Sequence, residues 1–221
     1  MALPGSACVP SVGPYLAASA KAAGKRAVEL VGENLRPSDI LTMKAFENAI
    51  MVHAAIAGST NALLHLPSIA YELGLEIKPE LFDEINRRIP YLLNVKPSGK
   101  YPVEYFYAAG GVPAIMEELR DFLHLDAMTV TGKTVGENLD ALAANDYYKE
   151  HEAYYEGSGV EKSQVLFTVE HPLNEEGSIA IFKGNIALEG SVMKHSAVPD
   201  EMKEAVLYAR PFDCEEEAIA N

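Results

Sequence analysis

Ile56-Ala57-Gly58-Ser59-Thr60-Asn61-Ala62-Leu63-Leu64-His65-Leu66 is the stretch on which the reading of this chain turns. Gly58 permits a tight backbone turn. Ser59 and Thr60 place hydroxyls where a helix would begin, and from Asn61 an apolar run continues to Leu73. A helix start carries unpaired N–H groups and a partial positive charge, which suit a carboxylate or a phosphate. Two readings follow. In one, the stretch is an ordinary N-cap opening a buried helix. In the other, Ser59, Thr60 and Asn61 position an anionic ligand.

Working outward, Tyr15 to Val31 reads as a helix with Leu16, Ala20, Ala23, Ala27 and Leu30 on one side. Arg36-Pro37-Ser38-Asp39 breaks it. Thr42 is placed to cap a helix from Met43 to Ala55, with Phe46, Ile50 and Ala54 buried. This helix and the one after Asn61, which ends before Gly74, are both mostly apolar and predict a packed interior. Pro79 opens a short helix, Glu80 to Arg88. Pro90, Pro97, Gly99 and Pro102 mark an irregular connection. Glu104 to Ala109 reads as about one helical turn, stopped by Gly110-Gly111, and Ala114 to Leu123 as the next helix. Ala127 to Thr131 is a strand candidate and Val135 to Ala143 a helix.

The character changes after Ala144. Residues 145–163 are polar, carry Tyr147, Tyr148, Tyr154 and Tyr155, and hold Gly157-Ser158-Gly159; they read as an interdomain connection. Beyond them, Val165–Val169, Ser178–Phe182, Ser191–His195 and Ala205–Ala209 read as strands, and Glu215–Ala220 as a helical turn. The expected class is α/β: a helix-rich part over 1–144, a linker over 145–163 and a β-rich part over 164–221.

Of the 221 residues, 48% are hydrophobic and 23% charged, enough apolar material for a core. The net charge of −14 argues against nucleic acid or an anionic membrane as partner, since either needs a basic face. No apolar run approaches the roughly 18–20 residues that span a bilayer. Met1 is followed by no basic, apolar leader, so a cytoplasmic location is expected. Cys8 and Cys214 belong to no CxxC pair and read as free thiols. The six histidines form no HxH or HExxH pair, so no metal site is expected from them. His65 reads as a hydrogen-bonded core histidine, and His195, beside Lys194 and Ser196, as structural or facing a cleft. Glu175-Glu176 and Glu215-Glu216-Glu217 diverge along the chain and read as solvated or helix-capping charge.

Two loops carry further chemistry. Pro97-Ser98-Gly99-Lys100-Tyr101 offers one cation and two hydroxyls; Lys100 either neutralises a substrate carboxylate as a point charge or is an exposed turn lysine. Ala127-x4-Gly132-Lys133-Thr134 satisfies a relaxed phosphate-loop pattern. The strict pattern has Gly where Ala127 stands, and Thr129, Val130 and Thr131 are β-branched and stiff. Gly132-Lys133-Thr134 therefore reads as a strand-to-helix turn.

Six further segments change what the opening stretch means. They are Met1-Ala-Leu-Pro-Gly5, Ala45-Phe-Glu-Asn-Ala49, Pro97-Ser-Gly-Lys-Tyr101, Ala109-Gly-Gly-Val-Pro113, Thr129-Val-Thr-Gly-Lys-Thr134 and Lys183-Gly-Asn-Ile-Ala187. Taken in this order with Gly58–Asn61, the chain resembles the dihydroxy-acid/6-phosphogluconate dehydratase family from residue 1 to about residue 217. The resemblance implies the end of an α/β catalytic domain followed by the start of a β-barrel-like C-terminal domain.

It also implies removal of water from a 2,3-dihydroxy carboxylic acid to give a 2-keto acid. In that family an iron–sulfur cluster acts as Lewis acid on the leaving hydroxyl, Mg2+ holds the substrate, and a serine alkoxide takes the C2 proton. The family's cluster cysteines precede the Leu3-Pro4-Gly5 segment, so no ligand role passes to Cys8. The Mg2+ ligands lie mainly upstream, and the serine lies downstream of Phe212-Asp213-Cys214-Glu215. The expectation is an internal fragment with no catalytic or metal-ligating residue of its own, prone to association. Ser59, Thr60, Asn61 and Lys100 are the candidate substrate-binding residues. The implied product is a dihydroxy-acid dehydratase, homo-oligomeric when complete, with a small-molecule substrate and a place in branched-chain amino-acid biosynthesis. A sugar-acid (aldonate) dehydratase, or a non-catalytic scaffold for oligomer or partner contacts, is the alternative.

Overall fold

A computed structural model describes residues 1–12 and 14–220. The helices are α1 (Pro14–Glu33), α2 (Pro37–Ile40), α3 (Met43–Ala55), α4 (Ala62–Glu72), α5 (Pro79–Asn86) and α6 (Glu104–Ala108). They continue with α7 (Gly111–Glu118), α8 (Val135–Ala144), α9 (Tyr147–Glu152), α10 (Lys162–Val165), α11 (Asp200–Lys203) and α12 (Glu215–Ala220). Strands β1 (Ile179–Phe182) and β2 (Ser191–Lys194) form an antiparallel pair, Ile179 opposite Lys194 and Phe182 opposite Ser191. The class is helix-rich with a small sheet, consistent with α/β. Among the described residues the two-stranded pair closes no barrel.

The core is built on α3 and α5. Thr42 caps α3 as its sequence demands, its hydroxyl accepting from the Ala45 N–H, and Phe46, Ile50 and Ala54 are buried. Pro79 takes the first position of α5, where its missing N–H costs nothing, and Phe82 and Ile85 face inward. Between the two helices and the C-terminal part runs the extended strip 89–95, with Leu92 and Leu93 buried. The Leu92 N–H donates to the Ala55 carbonyl at 2.9 Å, and the Phe167 N–H donates to the Leu92 carbonyl at 2.9 Å. The expected irregular connection is thus a core element. Pro90 and Pro97 punctuate it, but a short apolar run between breakers is also what a buried extended segment looks like.

Asn86 fastens the sheet to this core. Its side-chain carbonyl accepts the Ile179 N–H at 3.0 Å, its side-chain amide donates to the Phe82 carbonyl, and its backbone carbonyl accepts the Gly177 N–H. Lys183, just after β1, forms an ion pair with Glu80 of α5.

Several expectations are corrected. α1 lies almost wholly in solvent: Leu16 is exposed, as are Val28 and Val31 on its outer side. It is held instead by Arg26, which donates to the Val130 carbonyl at 2.7 Å and pairs with Glu33. α4 is not a core helix, because only Ala70 is buried while Leu64, Ile69 and Tyr71 are exposed. Residues 127–131 form no strand; a single bridge joins Met128 to Thr134. Residues 165–169 make only isolated bridges, Leu93 with Leu166 and Thr168 with His171. Residues 205–209 are irregular, with Val206 fully exposed.

The stretch 145–163 is structured. α9 and a 3-10 turn at Ala153–Tyr155 lay its aromatics on the core, with Tyr155 donating to the Tyr105 carbonyl at 2.6 Å. His151 lies against Tyr107, edge-on, and Tyr147, tilted, with ring centroids 4.9 and 4.2 Å away.

Candidate functional site

At Gly58 the loop before α4 is shaped by a close approach rather than by a special backbone angle. A Cβ on Gly58 would lie 2.1 Å from Cδ2 of the buried His53 ring. His53 Nε2 donates to the Ser59 carbonyl at 2.8 Å, which fixes that tautomer and leaves Nδ1 buried without a partner. Ala57 holds a positive φ of 52°, unusual for a residue with a side chain.

The N–H groups at the start of α4 are already in use. Ala62, Leu63 and Leu64 donate to the carbonyls of Ser59, Thr60 and Asn61, and the Asn61 N–H donates to the Ser59 hydroxyl. Asn61 caps the helix without a side-chain bond. The loop therefore offers side chains, the half-buried Thr60 hydroxyl and the exposed Asn61 amide, rather than a crown of free main-chain donors. His65, on the outer face of α4, is exposed and is not a core histidine.

The second candidate loop is tied to Asn94. The Asn94 side-chain carbonyl accepts the Lys100 N–H at 2.9 Å, and the Gly99 N–H donates to the Val95 carbonyl at 2.7 Å. The exposed Lys100 ammonium sits over the Tyr101 ring, 5.2 Å from its centroid.

What joins these two loops is a segment that sequence reasoning noticed only in passing. Lys194, the last residue of β2, donates from Nζ to the Ala57 carbonyl at 2.7 Å. Ser196 donates to the Ser98 hydroxyl at 3.1 Å. Between them His195 donates to the Gly177 carbonyl at 2.6 Å, which makes it a structural histidine. Residues 194–196 thus reach both the 57–61 and the 97–101 loops. Nothing local in the sequence announces this, because the acceptors are main-chain or hydroxyl groups far along the chain.

Burial pushes the His53 imidazole below its ordinary basicity; the Ser59 carbonyl opposes this and the Lys194 ammonium adds to it. The sign for stability follows. Below the unfolded value near 6.5, the unfolded chain binds a proton that the native chain refuses, so stability falls as pH drops through that region. The unfolding free energy from urea titration should fall more between pH 7.5 and 5.5 for the native sequence than for His53→Gln, by at most about 1.4 kcal/mol for each pH unit. Equal falls would show that His53 is not held neutral.

The Thr129–Thr134 turn offers a phosphate no free main-chain donors from Thr131 onward. Every backbone N–H from Thr131 to Glu137 donates within the chain, among them Gly132 to the Thr129 carbonyl, Thr134 to Glu137 and Val135 to the Ala127 carbonyl. Thr134 and Glu137 form a reciprocal capping box that starts α8. A cavity of about 360 Å³ lies beside this turn, between the first residues of the chain and α3, α7 and α8. Its walls are mainly apolar, and its polar residues Asn48 and Asn138 are spent on His124 and on Thr129, Thr131 and Thr134. Such a lining does not suit a polyhydroxylated acid.

The chain can now be set beside known proteins. The dihydroxy-acid/6-phosphogluconate dehydratase N-terminal profile matches residues 1–138, and the corresponding C-terminal profile matches residues 164–221. This chain belongs to the dihydroxy-acid/6-phosphogluconate dehydratase family. The dihydroxy-acid dehydratase of Methanosarcina barkeri is 44% identical over 221 residues, 100% of this chain and 38% of the relative. That of Acetivibrio thermocellus is 44% identical over 99% of this chain and 37% of its own length. Dihydroxy-acid dehydratase 1 of Methanosarcina acetivorans is 43% identical over 219 residues. The chain thus spans little more than a third of the curated relatives it matches.

Dihydroxy-acid dehydratases of this family generally imply metal cofactors. No three His, Cys, Asp or Glu side chains among the described residues converge into a set that could hold a metal ion, and Cys8 and Cys214 are both exposed free thiols. No described helix is long and apolar enough to cross a membrane.

Proposed function

We propose that this chain is the substrate-positioning middle segment of a hydro-lyase that converts a 2,3-dihydroxy carboxylic acid to a 2-keto acid. The observation that carries the reading is the 44% identity to a dihydroxy-acid dehydratase across the whole chain. Geometry supports it: the loops carrying Ser59, Thr60 and Asn61 and carrying Lys100 are both tied to residues 194–196. In this reading the Thr60 hydroxyl and the Asn61 amide orient the substrate's hydroxyls. The Lys100 ammonium, held over Tyr101 at the rim, adds positive potential for its carboxylate.

The complete enzyme would draw its iron–sulfur cluster, Mg2+ and proton-abstracting serine from polypeptide beyond these residues. It would act on a free small molecule in the cytoplasm, assemble as a homo-oligomer, and need neither nucleic acid nor a membrane. A branched-chain dihydroxy acid is the preferred substrate because the relatives named above are dihydroxy-acid dehydratases; an aldonate is the alternative within the family.

The test is a chimera in which these 221 residues replace the matching segment of the Methanosarcina barkeri enzyme. Thr60→Ala in that chimera should raise KM or lower kcat by roughly tenfold, the value of one lost hydrogen bond to a polar substrate. Unchanged kinetics would assign the loop to architecture.

A further inference from the structure

We infer that Lys194, with the Ser98–Ser196 hydroxyl pair two residues along, forms an anion site for the carboxylate of a hydroxy acid at the junction of the 57–61 and 97–101 loops. This rests on the dehydratase reading for its choice of ligand, but its structural grounds are separate.

The grounds lie in how this acidic chain treats its lysines. Lys25, Lys44, Lys78, Lys149, Lys162, Lys183 and Lys203 each have a carboxylate within ion-pair distance. Lys21, Lys96, Lys100 and Lys133 have none, but all four are exposed to water. Only Lys162 and Lys194 are half-buried. Lys162 is paired with Glu152, whereas Lys194 has no carboxylate among the described residues. With 32 acidic residues in the chain, a half-buried ammonium without a carboxylate among the described residues stands apart.

An ammonium has three N–H donors. One of Lys194's is spent on the Ala57 carbonyl, which steadies a residue held at positive φ. That bond explains where the side chain goes, yet it neutralises no charge. His53 is itself disfavoured as a cation by burial and lies close enough for the Lys194 charge to depress it further. Burial also lowers the Lys194 ammonium below its ordinary value, the expected cost of a half-buried cation without a counter-ion. An arriving carboxylate supplies that counter-ion and accepts the two remaining donors through charge-assisted bonds. The hydroxyls of Ser98 and Ser196, and of Thr60 on the neighbouring loop, match the hydroxyls such an acid carries.

The first test uses the unsubstituted chain, so no variant has to fold. Lysines are acetylated with a limiting acylating reagent and each site is read by peptide mass spectrometry. D-glycerate, a 2,3-dihydroxy acid, should slow acetylation of Lys194 in a saturable way while leaving Lys133 unchanged. Glycerol, which lacks the carboxylate, and sodium chloride at equal ionic strength should not. Equal protection by glycerol or chloride, or none by glycerate, overturns the site.

The second test is kinetic, in the chimera. Lys194→Met should raise KM at least roughly tenfold with a smaller change in kcat, and Lys194→Arg should recover part of it. An active chimera whose KM ignores Lys194→Met overturns the inference and leaves the dehydratase reading standing. A chimera inactive on every dihydroxy acid, alongside glycerate protection of Lys194, does the reverse.

Discussion

Phe82→Ala should cost the chain about 3–5 kcal/mol of unfolding free energy, the range for emptying a fully buried aromatic site. Phe82 has no solvent exposure and sits in α5 where that helix meets α3 and β1. Its ring stands edge-on to His53, centroids 6.5 Å apart and planes at 85°. Truncation removes the wall that keeps His53 against Gly58, so the damage should extend from the core to the 57–61 loop. Urea unfolding measures the first effect, and faster amide exchange at Ser59 and Thr60 reports the second. Leu64→Ala, on the exposed face of α4, should change stability by less than about 0.5 kcal/mol. Comparable losses for the two would place Phe82 outside the core.

Gly99→Ala should be nearly as severe, about 3 kcal/mol, the upper part of the range for forced overpacking. A Cβ there would lie 2.4 Å from the Asn94 backbone carbon and 2.5 Å from the Val95 nitrogen. Side chains can rotate aside; these are main-chain atoms of the buried strip and cannot. Relief requires opening the loop, which breaks the Gly99-to-Val95 and Lys100-to-Asn94 bonds together. Because Ser98 also accepts from Ser196, the variant should loosen the 194–196 segment. The chemistry of the loop would be lost along with its shape. A stable Gly99→Ala chain with an unchanged urea midpoint would refute the close packing described for this loop.

How far the sequence could be read differs from element to element. α3 was legible because its signals are local: a threonine cap, then apolar residues at helical spacing. α8 was legible for the same reason, since Thr134 and Glu137 stand three residues apart. α4 carries an equally apolar pattern and yet is exposed, because a pattern says which residues prefer burial and not which neighbours will cover them. The strip at 89–95 was hidden by its prolines. Residues 145–163 looked like a linker by polarity, although their tyrosines mark a surface that packs.

The candidate site was half legible. Gly58 stood out, but its reason, the ring of His53 five residues earlier, shows only once the chain turns back on the end of α3. Lys194 was unremarkable in sequence because its meaning comes from what it lacks, a carboxylate, and from a carbonyl 137 positions away.

The measurement that tests the whole account most directly is keto-acid formation by the chimera. It is offered a branched-chain 2,3-dihydroxy acid in one reaction and an aldonate in the other. 2-keto acid should form from the branched-chain substrate at a rate within about tenfold of the parent enzyme. A folded chimera, loaded with its cofactors, that forms no keto acid from either substrate would contradict the dehydratase reading.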